Sequence, residues 1–387
     1  MNRSIDEECL TQIKERMIPF WVSLRDKTFG GYIGEHSGIS MLPHAPKGSI
    51  YHARILWFFS TCAKVLPLET EQKNLVLDAA EQAYRFIRNV LWDTQKTGVY
   101  WSVDWTGKAL DTDKHIYALA FTLYGLSAYY SATKSPEVLA FAQEVFNCME
   151  TKCRNKQGYL EQFDIDWKAI PNTKLSDGSG APKTMNSMLH VMEAYTEFFN
   201  ATGEGKSALE YTYSLLMDKV LNDKLGRMDL FFDEDYQVKN GNEKSYGHDI
   251  EASWLLTEAA KATGHFDDDK ARILRLADCT IAEGFDGNAL VNEIKEGITD
   301  TDRIWWVQAE AIVGLVNAFQ ITGDSGYLSK ARAIWDYTKT HLIGDKEWFN
   351  AVTIEGKAYD RPIAGMWKCP YHNGRMFMEL LKRHISF

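Results

Sequence analysis

Apolar residues recur at i, i+3, i+4 and i+7 along almost the whole chain, and that periodicity predicts twelve helices. Their spans are 4–22, 49–66, 71–92, 111–133, 135–153, 183–204, 206–222, 245–264, 267–284, 302–323, 325–342 and 370–385. The connections alternate in length. Each even-numbered helix ends in a short turn: LPLET, TKSPE, TGEGK, TGHFD and TGDSG. Each odd-numbered helix runs into a long segment that opens near a glycine or an aromatic: FGGYIGEHSG, TGVYWSVDWTGK, QGYLEQFDIDW, GRMDLFFDEDYQ, GNALVNEIKEG and EWFNAVTIEGKAYD. These long segments alternate apolar and polar residues and end in turn signals, which predicts short strands or hairpins. Tight turns make antiparallel neighbours. The repeating unit is therefore an odd helix, a β-like loop, an even helix and a tight turn, and it occurs six times.

Six such hairpins around one axis form an all-α (α/α)6 barrel with short β-hairpin loops on one rim. The rival is an open helical solenoid, which does not need matched polar residues in its first and last repeats. At 387 residues the chain exceeds the usual size of a single core. A closed ring escapes that limit, because each repeat buries its apolar face on its neighbours. No Pro/Ser-rich linker divides the chain, so the expectation is one catalytic domain over residues 1–387.

In a closed ring the long segments share one rim, and the even helices begin there. The polar and aromatic residues that stand out from apolar surroundings fall at those helix starts, roughly every 60–70 residues: Arg54, Tyr117, Asn186 with His190, His248 with Glu251, Trp306 with Glu310, and His372. In YGHDIEASWLL, Ser245 suits the N-cap, which puts His248 in the first turn and Glu251 on the same face. The positive helix end disfavours an imidazolium, so His248 is expected neutral and able to act as a base. The plainer reading is a capping histidine beside a solvated glutamate. In WKCPYHNGRM, Pro370 suits the first helical position and places His372 in a first turn as well; Trp367 precedes that helix. In RIWWVQAEA, Trp306 and Glu310 stand at i, i+4, where an indole face and a carboxylate suit a pyranose. Asn186 and His190 share one stripe of an apolar helix and need partners if buried. Arg54 enters an apolar run, so it faces either a carboxylate or a ligand oxygen. Tyr117 lies one turn from Phe121, a position more often core than ligand-facing.

Composition narrows the chemistry. Twelve Trp, 18 Tyr and 19 Phe make 13% aromatic, many of them in the predicted loops. The formal charge is −10 and the pI about 5.6, which argues against a nucleic-acid or anionic-membrane partner. The N-terminal segment MNRSIDEECLTQIKERM has no apolar signal core, and no run of 18 apolar residues occurs. The six cysteines form no CxxC pair, so reduced thiols in a cytoplasmic protein are expected. FGGYIG does not follow a strand into a GxGxxG helix start, HDIE is not HExxH, no GxSxG is present, and no Cys/His or carboxylate cluster has metal-ligand spacing. Acid–base chemistry by histidine, without metal or cofactor, is what remains.

The segments YGHDIEASWLL, WWVQAEA, MNSMLHVMEAYTEFF and WKCPYHNGRM resemble the N-acylglucosamine 2-epimerase superfamily, and most closely its cellobiose 2-epimerase family, over essentially the whole chain. HDIEASWLL and KCPYHNGRM are the specific matches; GGY and Tyr117 are weak alone. The resemblance implies an (α/α)6 barrel, in agreement with the helix count. It also implies epimerisation at C2 of the reducing-end sugar of a β-1,4-linked disaccharide such as cellobiose, lactose or mannobiose. His372 and His248 would exchange the C2 proton through a cis-enediolate, and Glu251 would orient His248. Arg54 would hold the enediolate oxygens, Tyr117, Asn186, His190, Trp306 and Glu310 would bind the reacting sugar, and Trp367 would stack near the second sugar. No cofactor and no metal are implied, and a monomer or weak homodimer is expected. Within the superfamily an N-acylglucosamine 2-epimerase or a mannose isomerase is the alternative. Outside it, an (α/α)6 glycoside hydrolase would use carboxylates such as Glu251 and Glu310, and a non-catalytic sugar-binding protein would use the same aromatics.

Overall fold

The computed structural model of the protein describes residues 4–239 and 241–385; the ends of the expected 1–387 domain lie outside them. Six helices form an inner ring and six an outer one. The outer helices are α1 (Ile5–Thr11, continued through Gln12–Met17 and Ile18–Ser23), α3 (Thr70–Phe86), α5 (Pro136–Cys148), α7 (Lys206–Leu215), α9 (Phe266–Gly284) and α11 (Ser325–His341). The inner helices are α2 (Ser49–Val65), α4 (Ile116–Thr133), α6 (Met185–Thr202), α8 (Tyr246–Thr263), α10 (Trp305–Thr322) and α12 (His372–Arg383). Each inner helix packs on the next, and α12 packs back on α2, so the ring is closed. No described helix is long and apolar enough to cross a membrane.

The two rings differ as their sequences require. An outer helix buries one stripe: in α9 this is Ile273, Leu276, Ala277, Thr280, Ile281 and Gly284. An inner helix is covered on every side, and in α4 every residue from Ile116 to Tyr129 is buried. Two glycines let inner helices approach. A Cβ on Gly125 would lie 2.6 Å from the Ala53 carbonyl oxygen, and one on Gly314 would lie 2.8 Å from that of Ile250. The tight turns after α6, α8 and α10 use a left-handed residue at the helix end, Gly203, Gly264 and Gly323, which satisfies the last carbonyls without strain.

Several boundaries differ from the periodicity. α4 starts at Ile116 instead of 111, because Ala109–Asp111 and Lys114–His115 are strands. α12 starts at His372, so Pro370 lies before the helix and not at its first position. α3, α5 and α7 end in one widened, π-helical turn (Ile87–Leu91, Met149–Cys153, Leu216–Val220), and α1 carries such a stretch inside it. In α3, α5 and α7 the widened turn is the last one, so no further apolar stripe follows to register the extra residue.

A repeated ion-pair device sets the rim. Two-residue strands precede five of the six inner helices: Lys47–Gly48, Lys114–His115, Lys183–Thr184, Lys244–Ser245 and Arg303–Ile304. Each pairs antiparallel with a strand of the following rim loop. Each opens on a cation that is buried and held locally. Lys47 reaches Asp26 at 2.7 Å, Lys114 reaches Asp93 at 2.9 Å, and Lys244 reaches Glu283 at 2.9 Å. Arg303 pairs with Asp286, and Lys183 donates to the Gln157 and Glu234 carbonyls. Before the sixth inner helix, Lys368 lies 3.4 Å from Glu347. A buried cation is tolerated only with such partners, so each pair fixes where its inner helix begins. The rim closes as the inner ring does: His36 of the first loop donates its N–H to the Ala364 carbonyl of the last at 2.9 Å and accepts from the Ile363 N–H at 2.9 Å.

Candidate active site

Every candidate residue on an inner helix lies in the rim-side half of that helix, so closure of the ring brings six separate sequence segments to one chamber. Ser245 caps α8 by accepting the His248 N–H. Its hydroxyl also meets His248 Nδ1 at 2.7 Å. The ring of Trp306, from the first turn of α10, lies 4.8 Å from the ring of His248 and 5.4 Å from that of His372. One indole thus touches both histidines. Gly247 makes room for it, since a Cβ there would come within 2.5 Å of the Trp306 ring.

The floor is built around Arg375, one turn below His372. Its Nη1 donates to Glu193 and Tyr371, and its Nη2 to Glu251 and, at 2.7 Å, to Glu310. The guanidinium also lies over the rings of Tyr371 and Trp254, at 4.1 and 4.7 Å. Three carboxylates from α6, α8 and α10 therefore share one cation from α12. Glu310 accepts three hydrogen bonds, from Arg375, from Trp254 Nε1 at 2.9 Å and from His372 Nδ1 at 2.7 Å. That is the pattern of an ionised acceptor. Glu251 receives Arg375 on one oxygen, and its other oxygen is buried without a partner. Burial, and then the negative Glu310, push Glu251 well above the usual carboxylate range, so the proton shared by this pair resides on Glu251. Burial opposes ionisation of Glu193 too, but Arg375 and His190 outweigh it and hold Glu193 down to about 2.

Both candidate bases are neutral. Burial takes His248 down to about 3. Burial, then the charges of Arg54 and Arg375, hold His372 well below the ordinary imidazole value. Because Glu310 accepts from His372 Nδ1, the proton of that imidazole sits on Nδ1 and Nε2 carries the free lone pair. Glu251 does not orient His248, contrary to expectation. It lies 3.8 Å from His372 Nδ1, on the Arg375 side, and Ser245 is the group that holds His248. His372 is also less exposed than a rim position implies, at 6%.

Arg54 meets no carboxylate among the described residues. Its Nη2 donates to the Tyr117 hydroxyl at 3.0 Å, its Nη1 approaches Cys369 Sγ at 3.9 Å, and its plane lies 4.0 and 4.5 Å from the Phe121 and Tyr371 ring centres. Its Nε is buried without a partner. Of the two expectations for this cation, a ligand oxygen is the one left open. His190 pairs through Nδ1 with Glu193 at 2.8 Å and stands edge-on to Tyr117. Asn186 is half-buried with Oδ1 unpartnered. Trp367, 42% exposed, lies at the mouth, 6.0 Å from Trp101 and 6.2 Å from Tyr117.

Folding also gathers Glu251, Glu310 and His372, whose facing ligand atoms lie within 4.8 Å of one another. Sequence spacing does not reveal that cluster. Arg375 already bonds both carboxylates, so a guanidinium supplies the positive charge that a metal ion would bring there. The same tie leaves no gap between Glu251 and Glu310 for a glycosidic bond, which hydrolytic pairs of carboxylates require. Sequence reasoning missed Arg375, Tyr371, Glu193 and Trp254. A local signal existed: Arg375 stands three residues from His372 and Glu193 three from His190, each one turn deeper on the same helix face.

A sequence model of the family described as N-acylglucosamine 2-epimerase (GlcNAc 2-epimerase) matches residues 31–374. A cellobiose 2-epimerase from Ruminococcus albus is 39% identical over 392 aligned positions, covering 98% of this chain and 99% of that protein. Among solved structures, a sugar epimerase from a ruminal bacterium superposes with a TM-score of 0.95 at 37% identity, covering 99% of this chain and 100% of that one. Cellobiose 2-epimerase from Bacillus thermoamylovorans superposes with a TM-score of 0.93 at 36% identity, covering 98% and 99%.

Replacing Arg375 by Met leaves three buried carboxylates without their cation, and a cost of about 3–5 kcal/mol in stability is expected. Loss of the positive charge raises the folded-state pKa of Glu193, Glu251 and Glu310 but leaves the unfolded values unchanged. Stability held by such raised acids is present below about pH 4.3 and lost as pH rises. The drop in Tm of Arg375→Met relative to wild type should therefore be larger at pH 7.5 than at pH 5. A drop that shrinks with rising pH would contradict the network's charge assignment.

Proposed function

The chain belongs to the N-acylglucosamine 2-epimerase family, and we propose that it epimerises C2 of the reducing-end sugar of β-1,4-linked disaccharides by proton transfer between two histidines. What carries the reading is one arrangement: two neutral imidazoles, each with Nδ1 already engaged, against the two-sided reach of a single indole. The two C2 epimers present their hydrogens to opposite faces, so exchange needs a base for each face.

In the proposed sequence the substrate ring opens in the chamber and one histidine removes the C2 proton. The electron pair of the broken C–H bond forms the C1–C2 double bond of a cis-enediolate, and charge moves to the C1 oxygen. Arg54, a buried cation with an uncommitted Nε, stabilises that oxygen, an electrostatic role that grows as charge develops. Rotation about C2–C3 turns the other face toward the second histidine, whose Nε2, having taken up a proton from solvent, delivers it to C2 as the C1 carbonyl re-forms; the first histidine releases the proton it took to solvent. Glu310 fixes the His372 tautomer and Ser245 the orientation of His248, so Nε2 of each ring is the atom that exchanges the proton. Glu251, holding a proton, keeps the His372 side from accumulating a second negative charge. Tyr117, Asn186 and His190 contact the hydroxyls of the reacting sugar, and Trp306 stacks on its ring. Cellobiose and lactose are the substrates expected from the cellobiose 2-epimerase relatives, with glucosyl-mannose and epilactose as products. None of these steps draws on a cofactor or metal, and the reaction takes place within one barrel.

Cellobiose incubated with exhaustively EDTA-treated protein should yield glucosyl-mannose, read by NMR. His248→Ala and His372→Ala should each lower that turnover by at least about 10²-fold while the protein stays folded, the usual loss on removing a general acid–base group. Chelator-dependent activity restored by a divalent ion would defeat the metal-free reading. A folded variant of near-normal activity would defeat the assignment of that histidine.

Trp306→Ala should lower kcat/KM on every substrate. Trp367→Ala should penalise cellobiose more than mannose, because Trp367 stands at the mouth where the second sugar would rest. Loss of an aromatic face costs on the order of 1 kcal/mol beyond area burial, which is about 5-fold in kcat/KM. Equal losses on both sugars for Trp367→Ala would remove the second subsite from that position.

A further inference from the structure

A second cavity lies on the barrel axis below the catalytic chamber, at the tight-turn end. It has a volume of about 170 Å³ and is lined by the lower halves of five inner helices. Its walls include Trp57 and Thr61 from α2, Glu197 and Asn200 from α6, and Trp254 from α8. A single aromatic layer divides the two spaces. Trp57 stacks on Tyr124 at 5.5 Å and 14°, both meet Tyr371 edge-on at 5.6 and 5.9 Å, and Trp254 lies under Arg375. A helix rises about 1.5 Å per residue, so Asn200 lies about 15 Å below His190 along α6. The reaction described above uses nothing in this lower space.

Three observations bear on what it would hold. First, its polar groups are uncommitted. The buried Trp57 indole N–H and Thr61 hydroxyl make no hydrogen bond to protein among the described residues, and neither do the half-buried Glu197 carboxylate and the exposed Asn200 amide at the mouth. Second, its charges cancel. Lys382 pairs with Glu379 at 2.9 Å, and Arg383 with Glu258 at 3.2 Å and Glu379 at 3.1 Å. Glu193 is held by Arg375, and Lys64 and Glu197, one of each sign, remain. A balanced site with spare donors and acceptors does not select an ion. Third, two indoles give it apolar faces, and an apolar face beside hydroxyl-seeking groups is the surface complementary to a sugar or its alcohol. The size agrees. A water needs about 10–15 Å³ counted in this way, so the cavity takes on the order of ten water-sized groups, the scale of one hexose.

We propose that this lower cavity is a second binding site for a neutral, monosaccharide-sized polyol, separate from the catalytic chamber. Its occupant would touch Glu193 and Trp254, the groups that hold His190 and Glu310 from below. The site is therefore placed to alter the chamber without entering it.

D-Sorbitol is the probe, because it is neutral, hexose-sized and has no carbonyl to react. Its binding to the whole chain is followed by tryptophan fluorescence and by saturation-transfer NMR, alone and with saturating cellobiitol, the reduced disaccharide that the catalytic chamber would take. The variants are Glu197→Leu, which removes the uncommitted acceptor at the half-buried mouth, and Ala128→Phe, which fills the cavity from α4. Sorbitol binding that persists in cellobiitol and weakens at least about 5-fold in Glu197→Leu supports the site; the same loss in folded Ala128→Phe supports it independently. Should Ala128→Phe fail to fold, Glu197→Leu decides. No sorbitol response, a response that cellobiitol displaces, or binding undiminished in Glu197→Leu would overturn it. Because the readout is binding, this outcome is distinguishable from failure of the epimerase reading, which rests on turnover.

Discussion

The Arg375 guanidinium, buried in the middle of the barrel, is the interaction on which the catalytic chamber depends. Glu193, Glu251 and Glu310 come from three different helices, are all buried, and would repel one another. Arg375 bonds to all three. Through Glu310 it sets the tautomer of His372, and through Glu193 it reaches His190. Desolvation makes an unpaired charge in such a place costly, so the arrangement is stable only as a whole. The surplus negative charge is relieved by a proton on Glu251, and the opposite imbalance, an unpaired cation at Arg54, is left facing the chamber. In the proposed reaction that cation would meet the negative charge that develops on the enediolate oxygen, absent from the neutral substrate.

Ring closure is what makes this network possible. Glu193 and Arg375 are separated by 182 residues in sequence, yet they meet because α12 packs between α10 and α2. The buried lysines and the arginine at the rim fix where the inner helices begin, and hence which turn of each helix faces the chamber. A shift of one residue at any of these starts would rotate its side chains by about 100° around the helix axis. The rim ion pairs thus govern the placement of the candidate catalytic groups.

The sequence made the architecture legible because two periods coincide. The 3.6-residue apolar period marks each helix, and the alternation of tight turns with long loops marks each hairpin. The candidate residues were legible for a related reason: a polar residue in an otherwise apolar inner helix must have a partner, so Arg54, His190, Glu251 and Glu310 stand out. The identity of those partners was not legible. Glu251 is three residues from His248 and was read as its partner, but Ser245 already engages that imidazole and Arg375 of another helix claims the carboxylate. Spacing along one helix reports a shared face; it does not report which residue of a third helix reaches that face more closely. The rim lysines were overlooked because a lysine beside loop residues reads as solvated, and their burial arises from strand pairing between successive repeats.

In the proposed reaction the C2 hydrogen leaves the sugar as a proton and is replaced from groups that exchange with solvent. This exchange is tested most directly by running the reaction on cellobiose in D2O and locating deuterium in the product by NMR. Deuterium is expected at C2 of the newly formed glucosyl-mannose, with C1 and C3 unlabelled. Product that retains its original hydrogen at C2 throughout the early time course would contradict proton transfer through the two histidines and require a direct shift of hydrogen within the sugar.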